Sequence, residues 1–254
     1  MTTSQHDFVA SHYAPRAEAY VRSAVHSSGA DLDQIEDFVR GSADARALDL
    51  GCGGGHVSYR AAPHVREVVA CDLTLDMLAQ VKKAAAERGL ANIVTQQAAA
   101  ERLPFGAGSF DFVLSRYSAH HWNNFEAGLR EARRMLKDGA RALFADCVSP
   151  AHPLLDTHLQ AIELLRDPSH VRNYSAAEWM AALARSGFSV TEIAARKLRL
   201  EFTVWTERTK TPELYANAIL SLQAQASSAV RDHFAISEDG GFSLDTLTIE
   251  AVAA

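Results

Sequence analysis

Residues 48–55 read Leu-Asp-Leu-Gly-Cys-Gly-Gly-Gly, so that one acid, Asp49, is followed at alternate positions by Gly51, Gly53 and Gly55. Glycine lets a backbone turn at positive φ and puts no Cβ in the path of an approaching ligand. A second acid, Asp72, closes the next apolar run. In α/β folds the loop after the first strand receives nucleotide-like ligands, and an acid at the end of the second strand can accept hydrogen bonds from both ribose hydroxyls. Further on stand two adjacent imidazoles, His120 and His121, either of which can take up a proton near neutral pH. These residue types suit the binding of an adenosine compound, with a proton acceptor close by.

Two classes of adenosine cofactor compete for such a loop. A dinucleotide loop reads G-x-G-x-x-G, and its third glycine packs the helix against the strand. Counted from Gly51, that position is His56. A pyrophosphate also wants a helix N-terminus free of negative side chains, whereas Asp49 stands beside this one. S-adenosylmethionine carries an α-ammonium and a sulfonium and no phosphate, so an acid next to the loop suits it. The residues therefore favour S-adenosylmethionine over NAD.

The surrounding pattern supplies the elements that would hold these groups. Short, nearly continuous apolar runs at 47–50, 68–71, 92–94, 110–114 and 142–145 read as strands buried on both faces. Helical segments lie between them. In 75–88, Leu75, Leu78, Val81 and Ala85 recur at helical spacing, with Thr74 to cap the start and Gly89 to end it. In 124–136, Phe125, Leu129, Ala132 and Leu136 share one face. Such alternation predicts an α/β, doubly wound, mostly parallel sheet of seven strands. Residues 7–39 read as a helical N-terminal arm. Helices at 154–165 and 176–186, the second with a Ser175–Glu178 capping box, form an insertion after the fifth strand. Phe188–Ile193 and Leu198–Trp205 read as two strands extending the sheet antiparallel, 212–235 as helical and 242–249 as a last strand. The expected organisation is a single domain over 1–254, with an arm (1–44), a cofactor-binding core (45–146) and acceptor-pocket helices with closing strands (147–254).

The motifs from 45 to 146 together resemble a class I S-adenosylmethionine-dependent methyltransferase, of the group that includes the ubiquinone/menaquinone-biosynthesis C-methyltransferases (methyltransferase type 11). Leu48–Gly55 resembles its first motif and Cys71–Leu78 its second. Ala98–Phe105 resembles G-D-A-E-x-L-P-F, Phe110-Asp111 opens the fourth strand, and Leu136–Gly139 resembles L-K-P-G. The resemblance implies that Leu73 and Met77 border the adenine beside Asp72, and that Ala99, Ala100, Glu101, Ser115 and Arg116 flank the cofactor together with Asp49, Gly51, Cys52, Gly53 and Gly55. Ala99 departs from the family, which usually carries an acid there. In similar enzymes the N-terminal arm folds over the cofactor, which implies a contact from His26 or Tyr13. The segments His26–Gly29, Ser115–Trp122 and Leu165–Arg172 resemble a bacterial subgroup over nearly the whole chain.

Methyl transfer is an in-line displacement in which the protein aligns donor and acceptor. A base is needed only where the acceptor must lose a proton. His120 and His121 are the candidates, indistinguishable at this level; no third ligand at useful spacing makes the pair a metal site. Arg166 and Arg172, in a polar loop, are candidates to meet an anionic group of the acceptor. The implied reaction is C- or O-methylation of a small, quinone-like or other aromatic acceptor, with S-adenosylhomocysteine as product. A non-catalytic S-adenosylmethionine-binding protein and an NAD-dependent oxidoreductase are the alternatives.

A formal charge of −6 disfavours nucleic acid as partner. Cys52, Cys71 and Cys147 share no metal-type spacing and read as small apolar residues. No run reaches the length of a membrane span. A cytoplasmic protein is expected, of a stoichiometry the residues leave open.

Overall fold

A computed structural model of the chain describes residues 4–21 and 27–254; His26, implicated above by resemblance, lies outside the described residues. The N-terminal arm contains α1 (Gln5–Tyr13), α2 (Ala17–Val21) and α3 (Ala30–Val39). The alternating region follows as β1 (Ser42–Leu50), α4 (His56–Ala61), β2 (Val65–Asp72), α5 (Leu75–Glu87), β3 (Ile93–Gln97), β4 (Phe110–Arg116), α6 (Phe125–Met135) and β5 (Leu136–Val148).

Helix α5 buries Met77, Leu78, Val81, Ala84 and Ala85, so Leu78, Val81 and Ala85 of the expected stripe face the core, whereas Leu75, the first residue of the helix, is exposed and Met77 is buried in its place. Thr74 holds its N-cap position, yet the threonine side chain makes no capping bond. The Thr74 N–H instead donates to Asp72 Oδ1 at 2.9 Å, which ties the helix start to the end of β2. Helix α6 is capped by Asn124, whose side chain accepts from Ala127 N at 3.0 Å.

After β5 come α7 (Pro153–Arg166) and α8 (Ala176–Arg185), the latter with the expected Ser175–Glu178 capping box. Next is β6 (Phe188–Leu200), then α9 (Phe202–Arg208), α10 (Glu213–Ala224), α11 (Ser228–Phe234) and β7 (Phe242–Ala253). Here the structure corrects the sequence reading twice. The two strands expected at Phe188–Ile193 and Leu198–Trp205 are one strand of 13 residues, with a register shift between Val190 and Glu192. Pairing with β7 carries it through the polar stretch between them, and beyond Leu200 the chain turns into α9, so that Trp205 is helical. Direction is the second correction. It is β7 that runs antiparallel, inserted between β5 and β6, which leaves β6 parallel to the rest. A helical insertion therefore also separates β6 from β7.

Among the described residues the sheet has seven strands in the order β3-β2-β1-β4-β5-β7-β6. Strand alternation divides its core. Leu48, Leu50 and Val113 face α6 and α8, with Trp179 and Phe188, while Ala47, Phe112 and Leu114 face α3 and α4. A third apolar cluster joins Cys147, Leu159, Trp205, Phe242 and Leu244 under the late helices. The chain builds outward from β1 to β2 and β3 on one side and then crosses from β3 to β4 on the other side of β1. That reversal opens a crevice at the carboxyl edge of the sheet. No helix among the described residues is long and apolar enough to cross a membrane.

Candidate functional site

One cleft of about 1430 Å³, its mouth included, occupies this crevice. Its first half is built at the ends of β1 and β2. Gly51 and Gly53 turn the chain at φ 72° and 48°. A Cβ on Gly51 would lie 1.8 Å from Ser118 Oγ, whereas one on Gly53 would project into open space. Gly51 thus lets the β1 and β4 loops touch. Gly51→Ala is expected to cost roughly 1–3 kcal/mol of stability and to weaken adenosyl-ligand binding. Urea denaturation checks it; an unchanged midpoint would show that the loops move apart freely.

Asp49 is almost fully buried and takes Ser58 N (3.0 Å) and Ser58 Oγ (2.6 Å) on Oδ2. Its Oδ1 is buried with no hydrogen-bond partner. Burial pushes the carboxyl up to about 7, the Ser58 hydrogen bonds pulling the other way. Asp72 accepts Gly53 N and Thr74 N, each at 2.9 Å, so one carboxylate sets both the glycine loop and the start of α5; burial raises its pKa as well. The Cys52 thiol lines the same wall, and burial raises its pKa well above the ordinary value, the opposite of an activated nucleophile.

The second half lies beyond β4. Tyr117, at φ 51°, is a bulky residue in the left-handed region and redirects the chain into a short turn, Ala119–His121. This turn separates the roles of the two histidines. His120 Nδ1 is 2.6 Å from Asp146 Oδ1, and Asp146 is itself fixed by Ala119 N and Cys147 N. Burial alone would lower the His120 pKa, but the Asp146 charge and hydrogen bond outweigh it and raise the value. His121 Nε2 donates to Tyr13 Oη at 2.9 Å, because the Tyr13 hydroxyl spends its own hydrogen on Asp167, and Nδ1 faces Ser169 O at 3.3 Å. Burial and the adjacent His120 charge push it down to about 3, so it is neutral.

Tyr13 donates to Asp167 Oδ2 at 2.5 Å, and Ser169 N and Oγ donate to Asp167 Oδ1. Val171 N donates to His120 O at 2.9 Å. The polar loop after α7 and the N-terminal arm therefore meet on the histidine turn. Arg166 lines the cleft and donates to Trp205 O, whereas Arg172 pairs with Asp156 and Glu178 outside it.

Of the residues singled out in the sequence, the cleft wall brings together Asp49, Gly51, Cys52, Gly53, Asp72, Leu73, Met77, Ala100, Glu101, Arg116, His120 and His121. Gly55, Ala99 and Ser115 stand behind that wall. Gly55 N-caps α4 at φ 80°, Ala99 bridges Arg102, and Ser115 Oγ donates to Leu50 O at 2.8 Å between strands. The Arg116 side chain is held by Asp31 at 2.5 and 3.2 Å. Sequence reasoning missed Asp146, Glu163 and Arg208. Asp146 had a signal, since it is an acid near the end of a strand run, like Asp72. Arg208 had none, because it depends on α9.

Comparison with known proteins agrees with this architecture. A family described as a methyltransferase domain matches residues 48–144. The uncharacterized protein YafE of Escherichia coli is 45% identical over 201 residues, 79% of this chain and 97% of that protein. The uncharacterized methyltransferase YcgJ of Bacillus subtilis is 34% identical over 88% of each chain. The crystal structure of YcgJ superposes with a TM-score of 0.84, covering 87% of this chain and 97% of that one at 32% identity. The demethylmenaquinone methyltransferase of Lactococcus lactis is 34% identical over 46% of each. The fold and its crevice define a Rossmann-like methyltransferase. The chain belongs to this methyltransferase family and is an S-adenosylmethionine-dependent enzyme, which sets the nicotinamide and non-catalytic alternatives aside.

Proposed function

We propose that the enzyme methylates a small-molecule acceptor held in the second half of the cleft, with His120 as proton acceptor. The observation that carries the reading is the His120–Asp146 pair, set in the cleft between an acidic cofactor end and a second chamber with leucine and tryptophan walls. In the chamber, the buried Leu200, Trp205 and Leu244 and the half-buried Leu198 form the walls.

The residues present fit S-adenosylmethionine. The unpartnered Asp49 Oδ1 offers a carboxylate oxygen to an ammonium, Asp72 faces the cleft for ribose hydroxyls, and Leu73, Met77 and Ala100 give an apolar border for a purine. Glu101 and the Gly51–Gly53 backbone complete that end. When bound, the cofactor supplies an electrophilic methyl group and a sulfide that leaves with the bonding electrons. The chain's task is to place the acceptor in line, exclude water and take the acceptor's proton on His120 Nε2 where one must leave. Asp146 then stabilises the imidazolium, as an orienting carboxylate does beside a catalytic histidine. His121, neutral and donating Nε2–H to Tyr13, anchors the arm.

A single domain fits the one continuous sheet, and buried free thiols at Cys52, Cys71 and Cys147 fit a reducing cytoplasm. The relatedness to a demethylmenaquinone methyltransferase over 46% of the chain supports a small cyclic acceptor. Incubating the enzyme and trideuteromethyl-labelled cofactor with a cell extract tests this, with mass spectrometry of each fraction. Label is expected in small molecules. Label confined to RNA or protein overturns the reading.

A further inference from the structure

The two ends of the cleft have opposite polarity. The β1–β2 end presents Asp49, Asp72 and Glu101, whereas the end under β5, β6 and β7 presents Arg166, Arg208 and Glu163. At that second end Glu163 and Arg166 are paired at 3.6 Å, and Arg166 also donates to Trp205 O and stands 5.0 Å from the Trp205 ring. The remaining nearby carboxylate, Asp167, is behind the wall, its oxygens engaged by Tyr13 and Ser169 and approached by His12 at 3.2 Å.

Arg208 is different. It is the last residue of α9 and lines the cleft, and its Nε and Nη1 are buried without a hydrogen-bond partner. Buried guanidinium donors without a partner are costly, and native structures rarely leave them unused without a ligand to receive them. Burial and the nearby Arg166 charge lower its pKa, with Glu163 pulling the other way. Around it the walls are apolar, with Leu198, Leu200, Leu244, Trp205 and Cys147.

We infer that Arg208 is the anion-recognition residue of the acceptor chamber, and that the acceptor is a small monoanion, a carboxylate on an apolar body. Arg208 carries unused donors on two edges of the guanidinium, Nε and Nη1, and pairs the carboxylate through a charge-assisted hydrogen bond. The carboxylate enters the chamber first and the apolar body fills the space between Trp205 and the leucines. This inference rests on the proposed small-molecule acceptor. The cofactor also carries a carboxylate, so the test separates the two sources.

The experiment is titration calorimetry of the enzyme saturated with S-adenosylhomocysteine. The probes are 4-hydroxybenzoate, 4-hydroxycinnamate and decanoate, each beside its primary amide. At least one acid is expected to bind ten or more times tighter than its amide. Arg208→Gln is expected to erase that preference, Arg208→Lys to keep part of it, and both to leave S-adenosylhomocysteine affinity within about twofold. Equal affinity for acid and amide throughout, including no binding of either, overturns the inference. So does a large loss of S-adenosylhomocysteine affinity in Arg208→Gln, which would assign the guanidinium to the cofactor's carboxylate. Binding preference is read without turnover, so loss of the acid preference overturns this inference alone, whereas label confined to RNA or protein overturns the small-molecule reading beneath it.

Discussion

Asp49→Asn is expected to weaken S-adenosylhomocysteine binding roughly 10–100-fold at pH 8 and, in the same protein, to stabilise the ligand-free fold. Both effects follow from one carboxyl group. Its Oδ2 is satisfied by Ser58, its Oδ1 is buried with no partner, and its pKa is raised to about 7. An acid whose folded-state pKa lies above the unfolded value of 3.8 favours the fold when protonated. Its ionisation therefore costs stability progressively from about pH 4 to pH 7, on the order of 4 kcal/mol in full above that range. Asparagine keeps an acceptor for Ser58 and removes the charge. A ligand ammonium beside Oδ1 reverses the balance and favours the carboxylate. Wild-type affinity is expected to fall below about pH 7, where binding must expel a proton, and the Asn variant to lose that slope. Calorimetry from pH 5.5 to 8.5 and thermal unfolding at both ends measure this. A wild-type affinity independent of pH, with no gain in melting temperature for the variant, would mean that the orphan oxygen does not meet the cofactor.

His120→Ala is expected to reduce turnover roughly 10²–10⁴-fold, the usual range for a positioned general base, with S-adenosylhomocysteine affinity within a few-fold of wild type. The pair with Asp146 raises the His120 pKa, so the imidazole stays protonated to a higher pH than usual and cannot accept a proton there. The rate should therefore climb with pH through a midpoint above 6.5 and then level off. Asp146→Asn removes the charge that raises the value and should shift the midpoint downward. His121→Ala should behave differently. It breaks the contact with Tyr13 and loosens the arm, raising the cofactor's dissociation constant more than it lowers the maximal rate. Full turnover in His120→Ala would show that the acceptor arrives ready to be methylated and needs no base.

The difference between the histidines shows where reading along the chain stops. His120 and His121 are neighbours with the same side chain and the same sequence setting. What distinguishes them is the partner each imidazole finds. One meets Asp146 at the end of the adjacent strand; the other meets Tyr13, 108 positions away in the chain. Local periodicity carries no information about such distant contacts.

The chain's own pattern was sufficient for the alternating core, the glycine loop with its two acids, and the class of cofactor. Each of these depends on residues close in sequence: a strand followed by glycines, an apolar stripe at helical spacing, a capping box. The tertiary structure alone decided the closing strands and the acceptor chamber. Strand β6 runs through its polar middle because β7 pairs along its whole length, and β7 lies between β5 and β6 and pairs antiparallel with both. Arg208 faces the cleft only because the segment after Leu200 coils into α9 and does not extend as a strand. Hydrogen bonding between distant strands and the burial of a lone guanidinium are non-local free energies, and they become visible only when the chain is folded.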